Sequence, residues 1–169
     1  STFSAITPMG RQHENDREAT AADLKWLADP AEEPEPFGDG GTKMAWDTFN
    51  VVSIYPNGNP VMSDVNQRWV GDCCACAVIA SMAYLYPRFV KHIIKDNMDK
   101  TYTVTMYDPK GKQISVGVGG DYFIGNSGDL GALGGRNKEV TWATILEKAM
   151  IKWNQIYQGS SNVGGIGTE

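Results

Sequence analysis

At 169 residues the chain is long enough for one domain with a real core, and its 41% hydrophobic content excludes wholesale disorder. Fifteen basic against twenty acidic residues leave a net charge of -5. With no cluster of Lys or Arg, that balance excludes the electrostatic footprint of a nucleic-acid partner. No apolar run reaches membrane-spanning length, the longest (residues 73–85) being interrupted by Ser81. No signal peptide opens the chain. It begins with Ser, which suggests prior processing or a cloned boundary; the compartment is undecided, with a lean towards secreted or cell-envelope.

Residues 1–60 contain six of the eight prolines and an acidic, proline-rich stretch over 29–41. Within them, Thr20 is placed to cap a short helix to Ala28, with Leu24, Trp26 and Leu27 as its apolar residues. The remainder reads as an N-terminal arm or extension, and residues 61–169 as the principal unit. Residues 73–86 are apolar nearly all round and alanine-rich, the pattern of a helix buried in a core, and Pro87 should end or kink it. Residues 88–95 are expected to continue as a second helical piece. Residues 101–107 alternate β-branched and aromatic side chains, Asp108-Pro109-Lys110-Gly111 supplies turn chemistry, and alternation resumes over 112–118, which predicts a β-hairpin.

Eight glycines fall within residues 117–137 without a phosphate-loop pattern, and the stretch reads as a long surface loop. Thr141 should cap the clearest helix, in which Trp142, Ile145, Leu146, Ala149, Trp153 and Ile156 recur on one face as core packing. Residues 158–169 have linker composition.

The candidate chemistry lies in the three cysteines, all within four residues: Cys73, Cys74 and Cys76. So tight a cluster closes no loop and is not a disulfide framework. A structural zinc site would need His13 and His92, and neither has ligand spacing. A thiol is a useful nucleophile only as thiolate, and a helix N-terminus lowers its pKa through unpaired N–H groups and positive partial charge. Cys73 follows the Gly71-Asp72 turn and should occupy that N-terminus. Cys74 and Cys76 are rotated about 100° and 300° around the helix from it. Two other readings stand beside this one: three small buried hydrophobes, or a CxxC redox pair formed by Cys73 and Cys76. The redox reading lacks the βαβ context in which such pairs usually sit.

The stretch from Asp64 through Gln67 to Gly71-Asp72-Cys73, followed by an alanine-rich helix, resembles the active-site segment of calpain-family cysteine proteases. A second match lies downstream, where Trp142, Ile145-Leu146-Glu147-Lys148-Ala149, Lys152 and Tyr157 resemble the family's Trp…Leu-Leu-Glu-Lys-Ala…Lys…Tyr helix. The resemblance covers roughly residues 60–169. It implies an α+β fold, the first subdomain of a papain-like protease core, with a buried central helix, further helices and a small antiparallel hairpin or sheet. It implies Cys73 as nucleophile and Gln67 as oxyanion donor beside the Cys73 backbone N–H. Trp69, Gly71 and Asp72 become candidate substrate-binding residues. Asp64 and Glu147 match positions resembling a calcium-linked site in regulated members. The chain departs from the family at two positions, with Cys74 where Trp is usual and Arg68 where Gly is usual.

A cysteine protease also needs a histidine base and a residue to orient it. In the family these lie on a second subdomain, beyond the linker, and neither His13 nor His92 is placed to substitute. The expectation is therefore a processed half of a catalytic core whose companion chain carries His and Asn and which acts on peptide or protein substrates. An expressed fragment and an inactive protease-like binding module are the alternatives.

Overall fold

The structure, a computed structural model, describes residues 18–34, 45–68, 73–125, 128 and 130–159, excluding the side chains of Cys73 and Cys74. These residues form an α+β arrangement of four helices and two small antiparallel sheets. The helices are α1 (Ala21–Ala28), α2 (Cys73–Leu85), α3 (Pro87–Ile93) and α4 (Trp142–Tyr157). The strands are β1 (Ala45–Thr48), β2 (Ile94–Asp96), β3 (Tyr102–Tyr107), β4 (Gln113–Val118) and β5 (Asp121–Ile124). β2, β3 and β4 form one sheet in that order, and β1 pairs with β5 in the other. No helix among the described residues is long and apolar enough to cross a membrane.

Several elements form where local chemistry demands. Thr20 caps α1 in a reciprocal box, accepting from the Asp23 N–H at 3.1 Å while the Asp23 carboxylate accepts from the Thr20 N–H at 2.9 Å. Pro87 occupies the first turn of α3, where its missing N–H is harmless, so α2 and α3 are separate helices. The β3–β4 hairpin closes over Asp108, whose Oδ1 accepts from the N–H groups of Lys110 and Lys112 at 3.0 and 2.7 Å. Gly111 takes the left-handed conformation there (φ 84°), which suits a residue without Cβ.

Two sequence expectations are corrected. The helical piece expected over 88–95 stops at Ile93, and Ile94 begins a strand paired with Val104. Ile94 is buried while Lys95 and Asp96 are exposed, so pairing with β3 satisfies the backbone and buries Ile94 together. The stretch over 117–137 is not a surface loop: it contains β5, and residues 130–135 are buried. Its glycines permit close approach. A Cβ on Gly117 would collide with the Ala28 carbonyl oxygen and lie 2.6 Å from the Pro30 nitrogen, where the chain leaving α1 crosses β4. One on Gly134 would lie 2.6 Å from the Glu139 carbonyl oxygen.

α4 is the spine of the core. Trp142, Ala143, Ile145 and Ala149 are fully buried, with Val104, Val116 and Val118 of the sheet and Leu27 of α1 in the same cluster. Two of its lysines are buried as well and fasten the amino-terminal elements. Lys152 donates to the carbonyls of Asp29 and Gly117 at 3.0 and 2.8 Å and lies over the Trp26 ring. Lys148 pairs with Glu33 at 2.6 Å, donates to the Asp121 carbonyl and sits 4.6 Å from the centre of the Trp46 ring. Trp46 in turn stacks on Phe123 across the β1–β5 pair. The described part of residues 18–60 thus packs into the same core as the rest.

Gly117→Ala should destabilise the protein by about 2 kcal/mol, because the added methyl meets backbone rather than a movable side chain. Urea unfolding measures this directly. Burial pushes the Lys152 ammonium down to about 8 from its usual 10.5. From about pH 8 upward the native state then releases this proton before the unfolded state does, so stability should rise with pH. Tyr55, pushed up to about 12 by burial, holds its proton longer folded than unfolded and reverses the trend above about pH 10. Lys152→Met should flatten the rise between pH 8 and 10, worth about 3 kcal/mol at most, as read from denaturation at stepped pH.

Candidate active site

The segment that precedes α2 is fastened at three residues, Asp64, Asn66 and Arg68. A 3-10 turn, Met62–Asp64, ends at Asp64, which is 1% exposed. Its Oδ2 accepts from the Val61 N–H at 3.1 Å and from the Trp142 indole N–H at 2.8 Å. Oδ1 accepts from the Asn57 amide at 3.0 Å, and the Asp64 carbonyl accepts from the Thr141 hydroxyl at 3.2 Å. The same Thr141 hydroxyl accepts from the Ala143 N–H and caps α4. The start of α4 and the loop leading to α2 are therefore one hydrogen-bonded joint.

Two residues on, Asn66 bridges to Gly134 in antiparallel fashion, each N–H donating to the other's carbonyl at 3.0 and 3.3 Å. The Asn66 side-chain amide also donates to the carbonyls of Ser63 and Gly134. Arg68 Nη2 donates to the Gly135 carbonyl at 2.6 Å. Between them Gln67 is exposed. The turn that receives these bonds is held to α4. Glu147 Oε1 accepts from the Leu133 N–H at 3.1 Å, and the Thr144 hydroxyl donates to the Leu133 carbonyl.

Cys73 is the first residue of the 13-residue helix α2. The helix buries Ala75, Ile79 and Ala83 towards the core, with Cys76 half-buried against it. A nucleophile at that position gains the unpaired amides and partial positive charge of a helix start. Trp69, Gly71 and Asp72 lie outside the described residues, as do the side chains of Cys73 and Cys74. His92 is exposed on α3, and His13 lies outside the described residues.

Asp64 and Glu147 are both buried, and each accepts from protein donors of its own: an indole, an amide and a backbone N–H for Asp64, the Leu133 N–H for Glu147. Calcium requires six or more oxygens, and among the described residues no group of three or more His, Cys, Asp or Glu side chains gathers where it could hold a metal. The bonds that Asp64 and Glu147 make here tie the loop before α2 to the start of α4, and the turn at Leu133 to α4.

Three contributors were not singled out by sequence reasoning: Asn57 as a partner of Asp64, Gly134–Gly135 as the receiving turn, and Arg68 as a clamp. One signal was available. A buried tryptophan needs an acceptor for its indole N–H, and Trp142 at a helix start implied a nearby carboxylate or carbonyl.

No protein-family model matches the chain, and no curated protein sequence matches it.

Asp64→Ala should lower stability by about 3 kcal/mol, since it leaves the buried Trp142 indole and the Val61 N–H without their acceptor. Asp64→Asn, which keeps one oxygen for the indole, should fall between. Chemical denaturation followed by tryptophan fluorescence checks both; a loss within about 0.5 kcal/mol for Asp64→Ala would remove this joint from its structural role.

Proposed function

We propose that the chain is the nucleophile-bearing part of a calpain-like cysteine endopeptidase with a papain-like core, completed by a companion carrying His and Asn. The observation that supports this most is the placement of Cys73 as the first residue of α2, six residues after Gln67. The Cys73 thiolate attacks the scissile carbonyl carbon, and the carbonyl π electrons move onto oxygen. The Gln67 side-chain amide and the Cys73 backbone N–H receive that oxyanion. Collapse expels the amine, which takes a proton from the companion's imidazolium, and water then hydrolyses the thioester. Asp64 and Glu147 support the reading as braces of the loop and turn around Gln67 rather than as reacting groups.

The reading has a direct test in the chain by itself. Iodoacetamide should alkylate Cys73 with a pH midpoint well below the free-thiol value of about 8.5, and faster than Cys76, as resolved by peptide mass mapping. Cys73→Ala should remove the fast-labelling site, and Cys76→Ala should leave it intact. A midpoint at or above about 8.5 for Cys73 would sink the thiolate assignment. Loss of fast labelling in Cys76→Ala alone would favour a redox pair. A completed complex that binds peptides without cleaving them would favour a binding module.

A further inference from the structure

Gln67 sits between two residues tied to consecutive positions of one turn: Asn66 to Gly134 and Arg68 to Gly135. In an extended chain, side chains alternate between faces. With Asn66 and Arg68 both reaching the turn, that alternation would direct residue 67 to the opposite face; Gln67 is exposed. The turn is rigid for reasons of its own. Gly134 pairs with Asn66, the Gly135 N–H donates to the Glu139 carbonyl at 3.0 Å, and Leu133 is bonded to Glu147 and Thr144 of α4. A Cβ at residue 135 would meet the end of the Glu139 side chain, which packs directly over this glycine.

Arg68 is an unusual choice for mere stability. Among the described residues its buried Nε has no hydrogen-bond partner, and Nη2 makes the bond to the turn. The long side chain with its planar head reaches from residue 68 to the turn, which suits it to act as a pin. We propose that Arg68 is a positioning residue that sets Gln67 for oxyanion binding through its clamp on Gly135. This rests on the protease reading above, in which Gln67 receives the oxyanion.

The test uses the chain as it is, with an N-acetylated tripeptide aldehyde that adds reversibly to Cys73. Addition turns the aldehyde oxygen into the group that Gln67 would hold, whereas iodoacetamide alkylation creates no oxyanion. Gln67→Ala should weaken aldehyde affinity by about 100-fold, and Arg68→Met by about tenfold or more, each by a much larger factor than it changes the alkylation rate of Cys73. The Gln67→Ala/Arg68→Met double variant should bind no more weakly than Gln67→Ala alone, since Arg68 acts only through Gln67. Arg68→Lys, which can still donate to the Gly135 carbonyl, should restore most of the affinity. Asn66→Ala, which leaves Arg68 in place, should show a smaller loss in the same direction and serves if Arg68→Met fails to fold. Wild-type affinity in Arg68→Met, or in Asn66→Ala where Arg68→Met does not fold, alongside a weakened Gln67→Ala, overturns the positioning role and leaves the protease reading standing. Independent, additive losses in the double variant overturn it too. No aldehyde adduct in the wild type, or no effect of Gln67→Ala, defeats the protease reading itself and the inference with it.

Discussion

The carboxylate of Asp64 accepts from the indole of Trp142, and around that bond the rest of the arrangement is organised. One oxygen serves the indole and the Val61 N–H, the other serves Asn57, and the backbone carbonyl takes the Thr141 hydroxyl that also caps α4. A buried carboxylate is tolerable only when its lone pairs are filled, and a buried indole only when its N–H has an acceptor. Each group meets the other's requirement. The consequence is positional: the turn at Met62–Asp64 cannot shift without dragging the start of α4.

From that joint, α4 distributes constraint along its length. Thr144 and Glu147 grip Leu133 and make a rigid turn of residues 133–135, which in turn receives Asn66 and Arg68. One and two turns further on, Lys148 and Lys152 reach the other way, to Asp121, Glu33, Asp29 and Gly117, and lock β5, β4 and the segment following α1. The helix whose apolar face reads as simple core thus bears four polar side chains that hold four different segments. Hydrogen bonds to charged groups contribute about 1.5–3 kcal/mol each when buried and well formed. Loss of any one also strands its partner, so the polar network carries more of the specificity of the fold than of its raw stability.

Periodicity and turn chemistry made much of the secondary structure legible. The Thr20 cap, the break at Pro87, the hairpin around Asp108 to Gly111 and the Thr141-capped helix all rest on contacts between residues close in sequence, and all are present in the structure. The glycine-rich stretch was misjudged because glycine has two uses that composition does not separate. Here Gly117 and Gly134 serve close packing of backbone on backbone, which appears only once α1, β4 and the Glu139 segment are placed. Ile94 was drawn out of a helix by a strand partner, Val104, ten residues away. Asp64 and Glu147 stood out in the sequence through resemblance, but their partners Trp142 and Leu133 lie 78 and 14 residues along the chain.

The sequence by itself determined where helices start and stop, which hairpin forms, and that Cys73 opens a helix six residues after Gln67, because each depends on local backbone preferences and spacing. Tertiary structure alone decided what the charged residues do. Whether a buried Asp, Glu, Lys or Arg is a ligand, a reactant or a brace depends on which donors and acceptors the fold brings to it, and those come from distant segments. That is why the Arg68 contact with the Gly135 carbonyl at 2.6 Å, made 67 residues along the chain, could not be read from the sequence.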